Sequence, residues 1–356
     1  MIRTGFLITA LMSFSITALS GFFFIPWLRK MKFGQTILDE YLDEHKSKRG
    51  TPTMGGFMFY LGIIMSLCLG LMMVSKEMRK ISETIFTNES LSLTISILTA
   101  LSFGLIGFVD DYIKVAKKQN LGLKPIHKII GQVAVTVVFL WAQYATGHIS
   151  TLIRLPFGYT FEIGVLYYPI AFLGIIFMTN AVNLTDGLDG LCSSVTTVSA
   201  VGIMMISMAF GFWGNALFSC AVAGGCVGFL VWNYHPAKVF MGDTGSMFLG
   251  GAVVAMIWGV NRPEIIIFVG IIYIIEALSV AMQTTYFKIT RKIGGKGRRI
   301  FRKTPLHHAF QEYGISIIGE PSEELLSRKK GWSEEMIVLF FTLIQRIFSY
   351  LAYIGF

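Results

Sequence analysis

The sequence is short of charge. Only 14% of its 356 residues are Asp, Glu, Lys or Arg, where soluble domains carry about 25%. With 54% hydrophobic residues and a mean hydropathy of +0.64, that shortage excludes an ordinary soluble enzyme and predicts an all-α polytopic membrane protein. Cysteine pairs are also missing. Cys68, Cys192, Cys220 and Cys226 sit in apolar runs without CxxC spacing, which excludes a disulfide framework or zinc site and predicts four buried small hydrophobes. No segment is long enough to be a soluble basic domain, so the excess of Lys+Arg (30 against 21, net +9) does not point to nucleic acid. In a membrane chain it marks cytoplasmic loops and contact with anionic lipid or substrate. Arg49-Gly50-Thr51-Pro52-Thr53-Met54-Gly55-Gly56, before the second apolar run, is neither a Walker P-loop nor a dinucleotide fingerprint. The apolar run from Gly5 to Trp27 is too long for a signal peptide and leads into Arg29-Lys30, so it reads as a retained first helix.

What is present is a series of apolar runs. A helix needs about 20 such residues to cross a bilayer. Ten runs qualify, near 5–28, 54–75, 91–109, 129–146, 164–180, 191–210, 213–231, 247–260, 264–287 and 335–354. The fifth and eighth are short or interrupted by glycine. The pattern predicts one membrane domain over residues 1–356. Lys/Arg-rich loops should face the cytoplasm. Arg29, Lys30, Lys32, Lys46, Lys48, Arg49, Lys114, Lys117, Lys118, Lys124, Lys128, Lys238 and the cluster from Arg291 to Lys303 all fall in one set of loops. Both termini are then expected outside.

All seven aspartates (Asp39, Asp43, Asp110, Asp111, Asp186, Asp189 and Asp243) fall in the same inward set, as do His45, His127, His235, His307 and His308. Charge near hydrocarbon is expensive and marks function. Asp110-Asp111-Tyr112-Ile113-Lys114 ends the third run; adjacent carboxylates there can share a cation or pair with Lys114. Alone, the pair would pass as a solvated helix end. Asn180 to Gly190 packs Asn180, Asn183, Thr185, Asp186, Gly187, Asp189 and Gly190 between the fifth and sixth runs. Such residues form turns and N-caps, and backbone N–H groups at the next helix start can receive anionic or carbonyl oxygens. Phe240-Met241-Gly242-Asp243-Thr244-Gly245-Ser246 offers one carboxylate, suited to one metal position, and Phe240 is free to stack or be buried. His307-His308 suits phosphate contact or proton transfer. Glu276, inside the ninth run, is a functional candidate or a cross-helix partner.

These residues resemble a known family. Thr51-Pro52-Thr53-Met54-Gly55-Gly56, Gly107-Phe108-Val109-Asp110-Asp111-Tyr112, Asn180 to Gly190 and Phe240 to Ser246 look like signatures of the polyprenyl-phosphate N-acetylhexosamine-1-phosphate transferases. The first of them favours the muramoyl branch, and the likeness spans nearly the whole chain. One departure stands out: the family's three-histidine run reads His307-His308-Ala309 here, followed by a charged stretch of extra residues before Gly331-Trp332.

The resemblance implies an enzyme of the bacterial cytoplasmic membrane, active on its cytoplasmic face. It implies transfer of phospho-MurNAc-pentapeptide from UDP-MurNAc-pentapeptide to undecaprenyl phosphate, giving lipid I and UMP, with Mg²⁺, in a homodimer. Carried over residue by residue, it makes Asp243 the Mg²⁺ ligand. Asp110 would orient or deprotonate the lipid phosphate, with Asp111 and Lys114 nearby. Asn183, Asp186, Gly187, Asp189, Lys48, Thr53, Asn233 and Phe240 would bind the nucleotide-sugar. Lys128, His307 and His308 would contact phosphates. The rivals are a related GlcNAc-1-phosphate transferase and, in a different class, a transporter or lipid flippase. A transporter would be expected to place its charges near the bilayer midplane, where only Glu276 is a clear candidate.

Overall fold

The computed structural model describes residues 2–31, 50–81, 83–117, 121–147, 149–321 and 331–356. Lys48, Asp39, Asp43 and His45 lie outside the described residues. The helices are α1 (Ile2–Lys30), α2 (Gly56–Ile81), α3 (Glu83–Ala116), α4 (Pro125–Ala145), α5 (Tyr167–Thr185), α6 (Leu191–Ala209), α7 (Trp213–Asn233), α8 (Gly242–Gly259), α9 (Ile266–Val269), α10 (Ile271–Gly294), α11 (Leu306–Tyr313) and α12 (Glu334–Gly355). A small antiparallel hairpin, β1 (Leu152–Arg154) with β2 (Thr160–Glu162), joins α4 to α5 and pairs Ile153 with Phe161.

Each of the ten apolar runs is helical, but not each is a plain span. Among the described residues, α1 to α7 and α12 are long and apolar enough to cross a membrane. The eighth run, α8, is different. Every residue from Thr244 to Gly259 is buried, because α2, α3, α5, α6 and α7 all pack on it. Its small residues allow that crowding; in a bilayer, close backbone approach is what drives helix association. The ninth run was expected to be one continuous helix over 264–287. It is instead broken at Gly270, where the Pro263–Val269 segment meets α10 at 82°.

A break inside an apolar bundle frees backbone groups that must find partners. Gln345 of α12, fully buried, supplies them. Its amide N–H donates to the carbonyls of Val269 (2.9 Å) and Phe268 (3.3 Å), and its Oε1 accepts from the N–H of Ile272 (3.3 Å). The cysteines hold one correction. Cys192, Cys220 and Cys226 are buried as expected, but Cys68 is exposed on the outer face of α2, as an apolar side chain facing lipid would be.

Candidate active site

Five segments meet at one end of the bundle. The last turns of α3 bring Asp110, Asp111 and Lys114; the first turn of α8 brings Asp243; the first turn of α4 brings Lys128; the last turn of α5 brings Asn183. The two backbones touch where α3 crosses the head of α8. A Cβ on Gly107 would lie 2.0 Å from the carbonyl oxygen of Asp243, so only glycine allows this approach. Segment 52–56 closes the other side. Phe240 N–H donates to the Pro52 carbonyl and Gly55 N–H to the Phe240 carbonyl, each at 2.8 Å. Met54 in this segment holds φ +67°, a left-handed conformation that costs about 1–3 kcal/mol in a non-glycine residue and persists only where its surroundings enforce it.

Oxygen atoms of Asp110, Asp111 and Asp243 all lie within 4.8 Å of one another. Like charges so close need a cation. Lys114 stands among them, its Nζ 2.6 Å from Asp110, 2.8 Å from Asp243 and 3.5 Å from Asp111. Lys128 lies 3.2 Å from Asp243. Asn183 donates its amide to Asp243 Oδ1 (2.8 Å) and to Ser246 Oγ (2.7 Å). Burial alone would raise the Asp243 carboxyl. The neighbouring Asp110 and the charges of Lys128 and Lys114 outweigh it and hold Asp243 well below the usual carboxylate range.

The three aspartates are not equivalent. Asp111 Oδ2 accepts from both the N–H and the hydroxyl of Thr244, each at 2.8 Å, so it ties down the orphan donors at the start of α8. Asp110 accepts from the Leu123 N–H at 2.8 Å and faces Lys114. Asp243 is the most accessible of the three. The donor set fits a hard divalent cation. Oxygen-only ligation with one or two carboxylates, leaving room for water and phosphate oxygens, is what Mg²⁺ prefers. This acidic cluster could hold a metal.

The remaining expected residues surround this centre unevenly. Thr53 and Phe240 are half-buried beside Gly242. Asp186 and Gly187 are half-buried in the turn after α5. Asn233 is buried, and its amide is spent on the protein: Nδ2 donates to the Val239 carbonyl (3.0 Å) and Oδ1 accepts from the Gly190 N–H (3.1 Å). Asp189 belongs to a second cluster, with His235 and Glu334. Its Oδ2 lies 3.1 Å from His235 Nδ1 and accepts from the Ala237 N–H, and its backbone N–H donates to Glu334 Oε2 at 3.0 Å. Sequence reading missed Glu334, and gave His235 no role; an imidazole after Asn233-Tyr234, near a motif aspartate, was the available signal. His307 is buried on α11 and bound to Glu276, while His308 is half-buried with Nδ1 3.4 Å from Gln311 Oε1. Ala309, at the third position of the histidine run, is fully buried.

Fold and site together define a polytopic membrane transferase, and the sequence model of the glycosyl transferase family 4 matches residues 93–260. That stretch contains all three clustered aspartates. Over 354 residues the chain is 40% identical to a phospho-N-acetylmuramoyl-pentapeptide-transferase of Shouchella clausii (strain KSM-K16), covering 98% of this chain and 97% of that protein. It is 40% identical over 351 residues to the protein of that name from Clostridioides difficile (strain 630), covering 98% and 96%. The same identity over 317 residues relates it to the Bacillus subtilis (strain 168) protein, covering 89% and 92%. The chain belongs to the phospho-N-acetylmuramoyl-pentapeptide-transferase family.

Proposed function

We propose that this protein transfers phospho-MurNAc-pentapeptide from UDP-MurNAc-pentapeptide to undecaprenyl phosphate, giving lipid I and UMP, in the first membrane step of peptidoglycan synthesis. The observation that carries the reading is the convergence of Asp110, Asp111 and Asp243 on Lys114 and Lys128, in a chain 40% identical along its length to relatives named for this transfer. Both reactants are anionic, so a site that joins them must cancel charge and hold oxygens in line; phosphoryl transfer is mainly positioning and electrostatics.

Lys128 and Lys114 would neutralise the phosphates as they enter. Asp243, kept ionised by those lysines, is the metal ligand, and Asp110 orients or deprotonates the lipid phosphate. Asp111 keeps the head of α8 in place. Asp243 would hold Mg²⁺, which would supply charge neutralisation for the diphosphate and the departing UMP. Asn183, Asp186, Gly187, Asp189, Thr53 and Phe240 line the nucleotide-sugar side, Lys48 is assigned to the same substrate by the family resemblance alone, and His308 meets phosphate. The reading also places ten crossings in the bacterial cytoplasmic membrane, with both termini outside and the site facing the cytoplasm. It makes residues 1–356 one domain and the assembly a homodimer.

The test offers UDP-MurNAc-pentapeptide and UDP-GlcNAc in parallel to purified protein with undecaprenyl phosphate. The first donor should release UMP and chelation with EDTA should stop it. Release from UDP-GlcNAc alone would move the protein to a sibling activity, and release from neither would favour transport. Asp110→Asn and Asp243→Asn should each lower turnover by about 10³-fold or more, as loss of a charge-stabilising group in a preorganised site does, while the protein stays folded. Near-wild-type turnover in either variant ends that residue's assignment.

A further inference from the structure

The transfer chemistry leaves one buried polar pair unused, a helical turn inward from the aspartates. Gln132 of α4 is fully buried and faces Asn180 of α5. The two side chains bond reciprocally. Gln132 Nε2 donates to Asn180 Oδ1 at 3.0 Å, and Asn180 Nδ2 donates to Gln132 Oε1 at 2.9 Å. Each nitrogen has one further acceptor: the Ile176 carbonyl lies 2.8 Å from Asn180 Nδ2, and Met247 Sδ of α8 lies 3.9 Å from Gln132 Nε2. A primary amide has two donor hydrogens, so both nitrogens are fully used. Turning either amide over would set oxygen against oxygen and nitrogen against nitrogen. The pair therefore accepts one alignment of α4 on α5.

Side chains three or four residues apart on a helix lie on one face. Gln132 follows Lys128 by four positions, Asn180 precedes Asn183 by three, and Met247 follows Asp243 by four. The same three helices thus carry two layers. Gln132, Asn180 and Met247 form the inner one. One turn nearer the helix ends, Lys128 and Asn183 both meet Asp243, at 3.2 and 2.8 Å. We infer that Gln132 is a positioning residue: its bridge to Asn180 fixes the register of α4 against α5 and so keeps Lys128 and Asn183 together on Asp243. What the outer layer is for rests on the transferase reading. The bridge acts on alignment more than on stability. Hydrogen bonds between helices in a bilayer add little net stability, because separated helices also find partners, whereas a small misplacement of groups in a transfer site is costly to the rate.

The test exchanges the two arms. Gln132→Asn shortens one by a methylene, about 1.5 Å, and Asn180→Gln lengthens the other by the same step. Either change alone breaks the reciprocal pair; the double variant Gln132→Asn/Asn180→Gln restores its span. Each single variant should lower kcat roughly 10- to 100-fold, the scale of a misplacement of about 1 Å, with both KM values and the melting midpoint nearly unchanged. The double variant should recover kcat to within about threefold of wild type, the non-additivity expected of two residues in contact. A second measurement needs no activity. In a Cys68→Ala background, spin labels on Val138→Cys of α4 and Leu173→Cys of α5, both exposed positions, report the spacing of the two helices; Cys192, Cys220 and Cys226 are buried and inert. The distance distribution should broaden or shift in each single variant and return in the double. Unaltered kcat in Gln132→Asn overturns the inference. So does a loss that follows the melting midpoint, a double variant that does not recover kcat, or a helix spacing indifferent to Gln132→Asn. Protein that releases no UMP from either donor, while its spacing loosens and recovers as described, would overturn the transferase reading and leave the bridge standing.

Discussion

Two neighbouring carboxylates, Asp110 and Asp111, do different work although nothing in their order distinguishes them. Asp111 receives two hydrogen bonds from Thr244, and Asp110 receives one from Leu123 while facing Lys114. Hydrogen bonds to a charged acceptor contribute about 1.5–3 kcal/mol each. Asp111→Ala, which removes the acceptor of both Thr244 bonds, should therefore lower stability by roughly 2–4 kcal/mol as well as activity, whereas Asp110→Asn, which keeps an acceptor for the Leu123 N–H, should lower activity with a smaller stability change; thermal melts of the two purified variants side by side check this. Gly107→Ala is a sharper probe. The new methyl would meet the Asp243 carbonyl at 2.0 Å, so α3 or α8 must shift, and a displacement of about 1 Å in a transfer site costs on the order of 10²-fold. An assay at saturating substrates should show that loss. The acidic pairing was legible in the sequence because Asp110, Asp111 and Asp243 all head or end apolar runs. The division between them was not, since it depends on where the first N–H groups of α8 point. Nor was the Asp189–His235–Glu334 cluster, whose members are separated by 46 and 145 residues.

Helix identity was readable from apolar length; helix continuity was not. Gly270 sits inside a run of Ile, Phe, Val and Tyr that periodicity alone reads as unbroken. The bend exists because Gln345, on a helix 73 residues further on, satisfies the groups it exposes. Gln345→Leu should leave two carbonyls and one N–H without partners. At about 1–3 kcal/mol for each unsatisfied group, the variant should unfold at clearly lower temperature in detergent, or straighten the α9–α10 junction. Gln345→Glu, which keeps an acceptor for Ile272 but removes the donor, should fall between the two. α8 shows the opposite limit. Asp243, Thr244 and Ser246 make its head too polar for a simple span, and the sequence alone did not reveal that five helices would wrap it.

For the whole molecule, the one-sided placement of Asp and basic residues predicts a definite topology. Leu121, beside the aspartate cluster, and Val165, next to the hairpin, are 77% and 83% exposed. In a cysteine-free background, Leu121→Cys should react with a membrane-impermeant thiol reagent only from the cytoplasmic side, and Val165→Cys only from outside. Labelling of both from one side would reverse the proposed arrangement. The basic segment 291–303 should label with Leu121, and it is folded back on its own helix by the Arg298 N–H to Thr290 bond at 2.8 Å.

Because α8 is sheathed along its length by other helices, the helix bearing Asp243 is insulated from the acyl chains. A bilayer that is too thin or too thick tilts and strains the helices it touches, and here those form the outer ring. Reconstitution into lipids of graded chain length should therefore alter how readily the protein unfolds long before it alters the rate of UMP release.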